Sequence, residues 1–113
     1  MQDKIYKLKY LPLFEQDLLD TVNYISKVLK NEEAAMRLIN DVETAILVRL
    51  NNPVAFEPYH SRKKREYPYY RIYVRNYVIY YVVIDDVMEV RRLLYGARNI
   101  CLLYTSDAAD DLI

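Results

Sequence analysis

Residues 67–98 read YPYYRIYVRNYVIYYVVIDDVMEVRRLLYGAR, and this stretch decides the fold. It holds eight of the 13 tyrosines and five arginines, and β-branched and aromatic residues dominate it. Such residues suit a pleated, half-buried surface, whereas Asn76 and the Asp85-Asp86 pair are turn chemistry. The stretch therefore predicts three consecutive antiparallel strands joined by short hairpins. In the first strand Tyr69, Arg71, Tyr73 and Arg75 fall on one face, and Tyr70, Ile72 and Val74 on the other. The second set is expected to meet the core and the first to meet a partner. The second strand, Tyr77 to Ile84, is apolar on both faces, as a covered central strand would be. In the third, Met88, Val90 and Leu94 alternate with Glu89, Arg91 and Leu93, while Arg92 breaks the apolar phase. Gly96, the one glycine, allows the strand end to bend.

Working outward, Ile5 to Tyr10 alternates, with Tyr6, Leu8 and Tyr10 on one side, and predicts a short strand. Pro12 suits the first turn of a helix, where its missing N–H costs nothing. Phe14, Leu18, Val22, Ile25 and Leu29 then form one helical stripe. Asn31 is a good N-cap for a second helix, and Glu32 and Glu33 favour its positive end. The second stripe is Ala35, Leu38, Ile39, Val42, Ile46 and Leu50. Asn51-Asn52-Pro53 ends it, because proline disfavours helical geometry in the residue before it. So short a link implies an antiparallel helical hairpin whose stripes bury one another and cover one sheet face. The fold class is α+β: a strand, a helix hairpin, and a three-stranded antiparallel meander in one small sheet. Residues 53–66 read as a loop with the basic run Arg62-Lys63-Lys64-Arg65, in which His60 is a surface histidine.

At 113 residues the chain fits one domain with one core. No apolar run approaches the roughly 20 residues of a spanning helix, and the N-terminus lacks the apolar segment of a secretory signal. One cysteine and one histidine suit a reducing cytoplasm and are too few for a zinc site, so neither metal nor cofactor is expected. The formal net charge of zero hides an asymmetry. Residues 1–57 carry seven Lys/Arg against nine Asp/Glu, a net −2, and residues 58–100 carry nine against four, a net +5. Such a basic half is either a footprint for nucleic acid or an acidic partner, or a solvated strand face.

The strings YYRIYVRNYVIYYVVIDD and VRRLLYGARNI, with Tyr10-Leu11-Pro12, Phe14, Asp17 and Leu18 at the helix entry, resemble the RelE/ParE superfamily of toxins from bacterial type II toxin–antitoxin systems. The resemblance covers roughly residues 4–100. It implies a cytoplasmic growth inhibitor neutralised by a cognate antitoxin, whose acidic or amphipathic segment would cover the basic face. ParE-like members poison DNA gyrase by contact. RelE-like members are ribosome-dependent mRNA endonucleases (mRNA interferases), whose cations stabilise charge on the phosphoryl oxygens in the transition state. For a nuclease the resemblance assigns Arg71, Arg75, Tyr95 and Arg98 as catalytic. Tyr95 stands where many relatives carry histidine, and a phenol is the weaker base at neutral pH unless Arg71, Arg75 or Arg98 depresses its pKa. Val78 stands where the nucleases commonly carry arginine, which favours the ParE-like reading. Arg62, Lys63, Lys64, Arg65, Tyr69 and Tyr73 are the expected partner contacts, with Tyr69, Tyr73 and Tyr95 exposed. A third reading is a decayed relative or a basic RNA-binding domain without toxicity.

The domain is expected to span residues 1–100. Residues 101–113, CLLYTSDAADDLI, carry three aspartates and no base. They read as non-native read-through, or else as a short helix docked on the sheet.

Overall fold

The computed structural model describes residues 4–58 and 67–96. Strand β1 (Lys7–Tyr10) leads into helix α1 (Pro12–Asn23), which opens into a π-helical turn over Tyr24–Val28. Helix α2 (Glu32–Leu50) follows, then β2 (Tyr70–Val74), β3 (Tyr77–Ile84) and β4 (Val87–Tyr95). The sheet order is β1-β4-β3-β2. β4 is antiparallel to β3 and parallel to β1, so the first and last strands are neighbours. These are the strand, helix hairpin and meander that the sequence predicts.

Local chemistry accounts for the boundaries. Pro12 opens α1 at N1. The Asn31 side chain accepts from the Ala34 amide at 3.0 Å and caps α2. In the π-helical turn the Leu29 amide reaches back to Tyr24 O at 3.1 Å, one residue further than in an α-helix. The wider turn carries Leu29 off the apolar stripe, leaving it 55% exposed. Lys30, at φ 53°, then reverses the chain.

The main core lies between the helices and one sheet face: Phe14, Leu38, Val42 and Ile46 meet Ile72, Ile79, Tyr81, Met88, Val90 and Leu93. Tyr70, Ile72 and Val74 do face the helices, as the alternation of β2 requires. The opposite face has its own buried cluster of Tyr69, Val78, Tyr80, Val82 and Leu94. β3 is thus covered on both sides.

β4 departs from simple alternation. Tyr80 pairs with Arg92 but Tyr81 pairs with Val90, leaving Arg91 as the extra residue of a β-bulge. One inserted residue inverts the phase beyond it. Leu93, not Leu94, therefore joins Met88 and Val90 on the helix side, and Leu94 packs on the far face. The charged break at Arg92 was the sequence trace of this bulge.

Candidate functional site

The expected partner face is narrower than alternation implies. Tyr69 is 1% exposed and sits edge-on to Tyr80, with ring centroids 5.9 Å apart, so it is not the exposed contact residue predicted. Tyr73 is 67% exposed, and the Arg71 guanidinium lies 5.8 Å from its ring. Tyr73 is the open part of the outer face of β2, and Arg71 beside it is half-buried.

Arg75 does not share that face. It occupies the two-residue turn between β2 and β3 with φ 55°, a left-handed conformation that turns its side chain away from the strand alternation. Its Nη2 and Nε donate to Asp41 Oδ2 of α2 at 2.7 and 2.8 Å. The helices lie on the opposite side of the sheet from Arg71, so the two guanidiniums diverge.

Tyr95 also belongs to the helix side. It pairs in register with Tyr77, and the two rings meet edge-on at 5.6 Å. Burial raises the pKa of Tyr77, with Tyr95 and Tyr24 adding to the effect. Tyr95 itself is 46% exposed, as expected. The Gly96 amide donates to Asn76 O at 2.7 Å, closing this end of the sheet. A Cβ on Gly96 would lie 3.1 Å from that carbonyl oxygen, so the strand end approaches the turn too closely for a larger residue to fit unstrained.

The remaining arginines of the meander are occupied within the chain. Arg91 Nε donates to Glu89 at 2.9 Å, with both side chains largely buried. Arg92 forks onto Asp17 of α1: Nε to Oδ2 at 2.8 Å and Nη2 to Oδ1 at 3.1 Å. Asp17 Oδ2 also accepts from the Leu93 amide at 3.0 Å, so a single carboxylate ties α1 to the bulge.

Sequence reasoning passed over Arg49. In the last turn of α2, its Nη1 donates to Arg71 O at 3.1 Å and to the Tyr81 hydroxyl at 2.9 Å. Its guanidinium lies 3.6 Å from the centroid of Phe56. Tyr81 in turn donates to Pro53 O at 2.7 Å. The start of the long loop and the middle of β2 are thereby joined through one side chain. Arginine interrupting an apolar helix end was the available signal.

Arg62, Lys63, Lys64, Arg65 and Arg98, with His60 and the tail at 101–113, lie outside the described residues. Among the described residues, no group of three or more His, Cys, Asp or Glu side chains could hold a metal ion. Likewise among them, no helix is long and apolar enough to cross a membrane.

A family model described as the ParE toxin of the type II toxin–antitoxin system parDE matches residues 8–100. The chain belongs to that family. It is thus a toxin of a type II toxin–antitoxin system, within the RelE/ParE superfamily. Similar solved structures include the chromosomal ParDE system of P. aeruginosa, 13% identical at a TM-score of 0.63, covering 80% of this chain and 96% of that one. YafQ from E. coli strain BL21(DE3) is 16% identical at a TM-score of 0.54, covering 83% and 97%. The chain of an E. coli DinJ-YafQ toxin–antitoxin complex is 14% identical at 0.51, covering 82% and 94%. At these identities the likeness is one of fold. Comparison with curated proteins gave no match.

Within the ParE family frame, Val78 is 3% exposed inside the far-face cluster. An arginine at this position would replace a packed aliphatic side chain.

Proposed function

We propose that this toxin inhibits growth by binding an essential target such as DNA gyrase, and that a cognate antitoxin neutralises it. One observation carries the preference for binding over catalysis: the candidate catalytic groups among the described residues do not converge. Arg71 stands on the outer face of β2, Arg75 is turned to Asp41, and Tyr95 meets Tyr77 edge-on on the helix side. General base catalysis needs the base and the cations within hydrogen-bond reach of one reacting centre. Neither Arg71, across the sheet, nor Arg75, paired to a carboxylate, supports Tyr95 as a base. Val78 in a buried cluster supports the same reading.

The test is induced expression in bacteria, with and without the antitoxin encoded beside the toxin gene. Growth arrest relieved by the antitoxin, together with inhibited supercoiling by purified gyrase, is the expected result. Cleavage of ribosome-bound transcripts, lost in Arg98→Ala, would replace this reading with the endonuclease one. A folded full-length chain that causes no arrest would leave only the non-toxic RNA-binding or decayed form.

A further inference from the structure

Among the described residues the sheet ends in β1 on one side and in β2 on the other. A free edge offers backbone N–H and C=O groups to any other strand, and lysines along it discourage such pairing. β1 carries Lys7 and Lys9, whose side chains are 76% and 61% exposed. β2 carries no lysine, and Tyr73 on it is exposed. Which groups of β2 point outward follows from the hairpin. Val74 and Tyr77 flank the two-residue turn at Arg75-Asn76, and such a flanking pair is the hydrogen-bonded one. Alternation then turns the backbone of Tyr70 and Ile72 inward to β3, and that of Arg71 and Tyr73 outward.

Arg49 sits on that edge. Its Nη1 donates to the outward Arg71 carbonyl at 3.1 Å and to the Tyr81 hydroxyl at 2.9 Å, while the Phe56 ring covers its guanidinium. The Tyr73 backbone takes part in no turn, loop or side-chain hydrogen bond among the described residues. An incoming antiparallel strand must match this alternation with outward groups of its own. β2 of a second copy does so about a twofold axis at Ile72, which sets Tyr73 of each copy opposite Arg71 of the other. The Tyr73 N–H then donates to the Arg71 carbonyl of the second copy, the same acceptor that Arg49 holds in the single chain. The side chains agree with this register. Arginine faces tyrosine rather than arginine, and the Arg71 guanidinium, 5.8 Å from the Tyr73 ring in one chain, meets a second such ring across the axis.

We propose that the free edge of β2 is a pairing surface for a second copy of this chain, and that Arg49, anchored to Tyr81 beneath Phe56, keeps it closed. β2 is short, so its pairing is weak while both Arg71 carbonyls are held. Releasing Arg49 in both copies frees two acceptors at once, because a twofold contact counts each change twice.

The test is sedimentation velocity of the purified full-length chain over a concentration series, at a temperature where circular dichroism shows each variant folded. Arg49→Met should tighten the monomer–dimer Kd at least tenfold, about 1.4 kcal/mol. Phe56→Ser alters a side chain that is 49% exposed, and should tighten it at least threefold. If Arg49→Met does not fold, Phe56→Ser decides. Adding Tyr73→Pro, which removes the edge N–H, should return either variant to the Kd of the unaltered chain. Hydrogen exchange at the Tyr73 amide should slow in the dimer. Asp17→Ala weakens the fold away from this edge and should associate no more than the unaltered chain. A Kd that Arg49→Met and Phe56→Ser leave unchanged overturns the proposal. So does association that survives Tyr73→Pro, which places the contact elsewhere, or that Asp17→Ala reproduces, which makes it a consequence of lost stability.

Discussion

Replacing Asp17 with alanine tests whether one carboxylate fixes the joint between α1 and the bulged strand. The side chains of Asp17 and Arg92 are 13% and 14% exposed, so water replaces little of what is lost. Asp17→Ala removes both bonds from Arg92 and the bond from the Leu93 amide, depriving a largely buried guanidinium of its carboxylate and leaving a strand N–H unmatched. Removing one partner of a buried pair costs roughly 3–5 kcal/mol. Residual exposure places this case at the lower end, about 3 kcal/mol. For a domain of this size that lowers Tm by about 12 °C. Asp17→Asn keeps an acceptor for Leu93 and should lose less. Urea denaturation of Asp17→Ala, Arg92→Met and the double variant forms a cycle that isolates the pair. The expected coupling is about 2 kcal/mol. A cost below about 1 kcal/mol for Asp17→Ala, with coupling near zero, would refute the assignment of the bulge anchor to this carboxylate.

Tyr81→Phe removes a hydroxyl that accepts from Arg49 and donates to Pro53 O, and should cost about 1–2 kcal/mol at neutral pH by denaturation. The same substitution alters alkaline stability. Burial raises the Tyr81 pKa above its ordinary value near 10, partly offset by Arg49, so the folded state holds its phenolic proton more tightly than the unfolded chain. That contribution is complete below the unfolded pKa and is lost as pH rises through the folded one. Stability should therefore fall less steeply above pH ~10 in the phenylalanine variant. Gly96→Ala brings a Cβ to 3.1 Å from Asn76 O and should cost about 1 kcal/mol. No change in Tm would show that the turn yields freely.

The elements of this fold are legible in the chain because each follows from a local rule. Alternation in Tyr70–Val74, helical stripes from Phe14 and Ala35, and the Asn31 cap need no knowledge of distant partners. What escapes such reading is set by single residues or by long-range contact. The bulge at Arg91 inverts the phase of everything after it, so simple alternation placed Leu94 on the wrong face. Arg75 lies one position beyond its strand, where a left-handed backbone sends it to Asp41 instead of alongside Arg71. Tyr69 has the composition of a contact residue and the surroundings of a core residue. The incomplete burial of Leu18, Val22 and Ile25 on α1 escapes for a different reason. Periodicity shows which residues of two helices are apolar, but not how closely the helices approach.

Charge needs the same correction, and it changes what a partner must offer. The basic excess of residues 58–100 suggests one broad cationic face. Yet Arg75, Arg91 and Arg92 each hold a carboxylate of their own chain. Salt-bridged guanidiniums of this kind carry little outward field. The other positive charges of this half are Arg71, Arg98 and the consecutive Arg62, Lys63, Lys64 and Arg65. On the helix hairpin, Glu15 and Glu43 stand beside the apolar side chains between α1 and α2 and add the opposite sign. A partner that engages both must therefore carry basic as well as acidic residues.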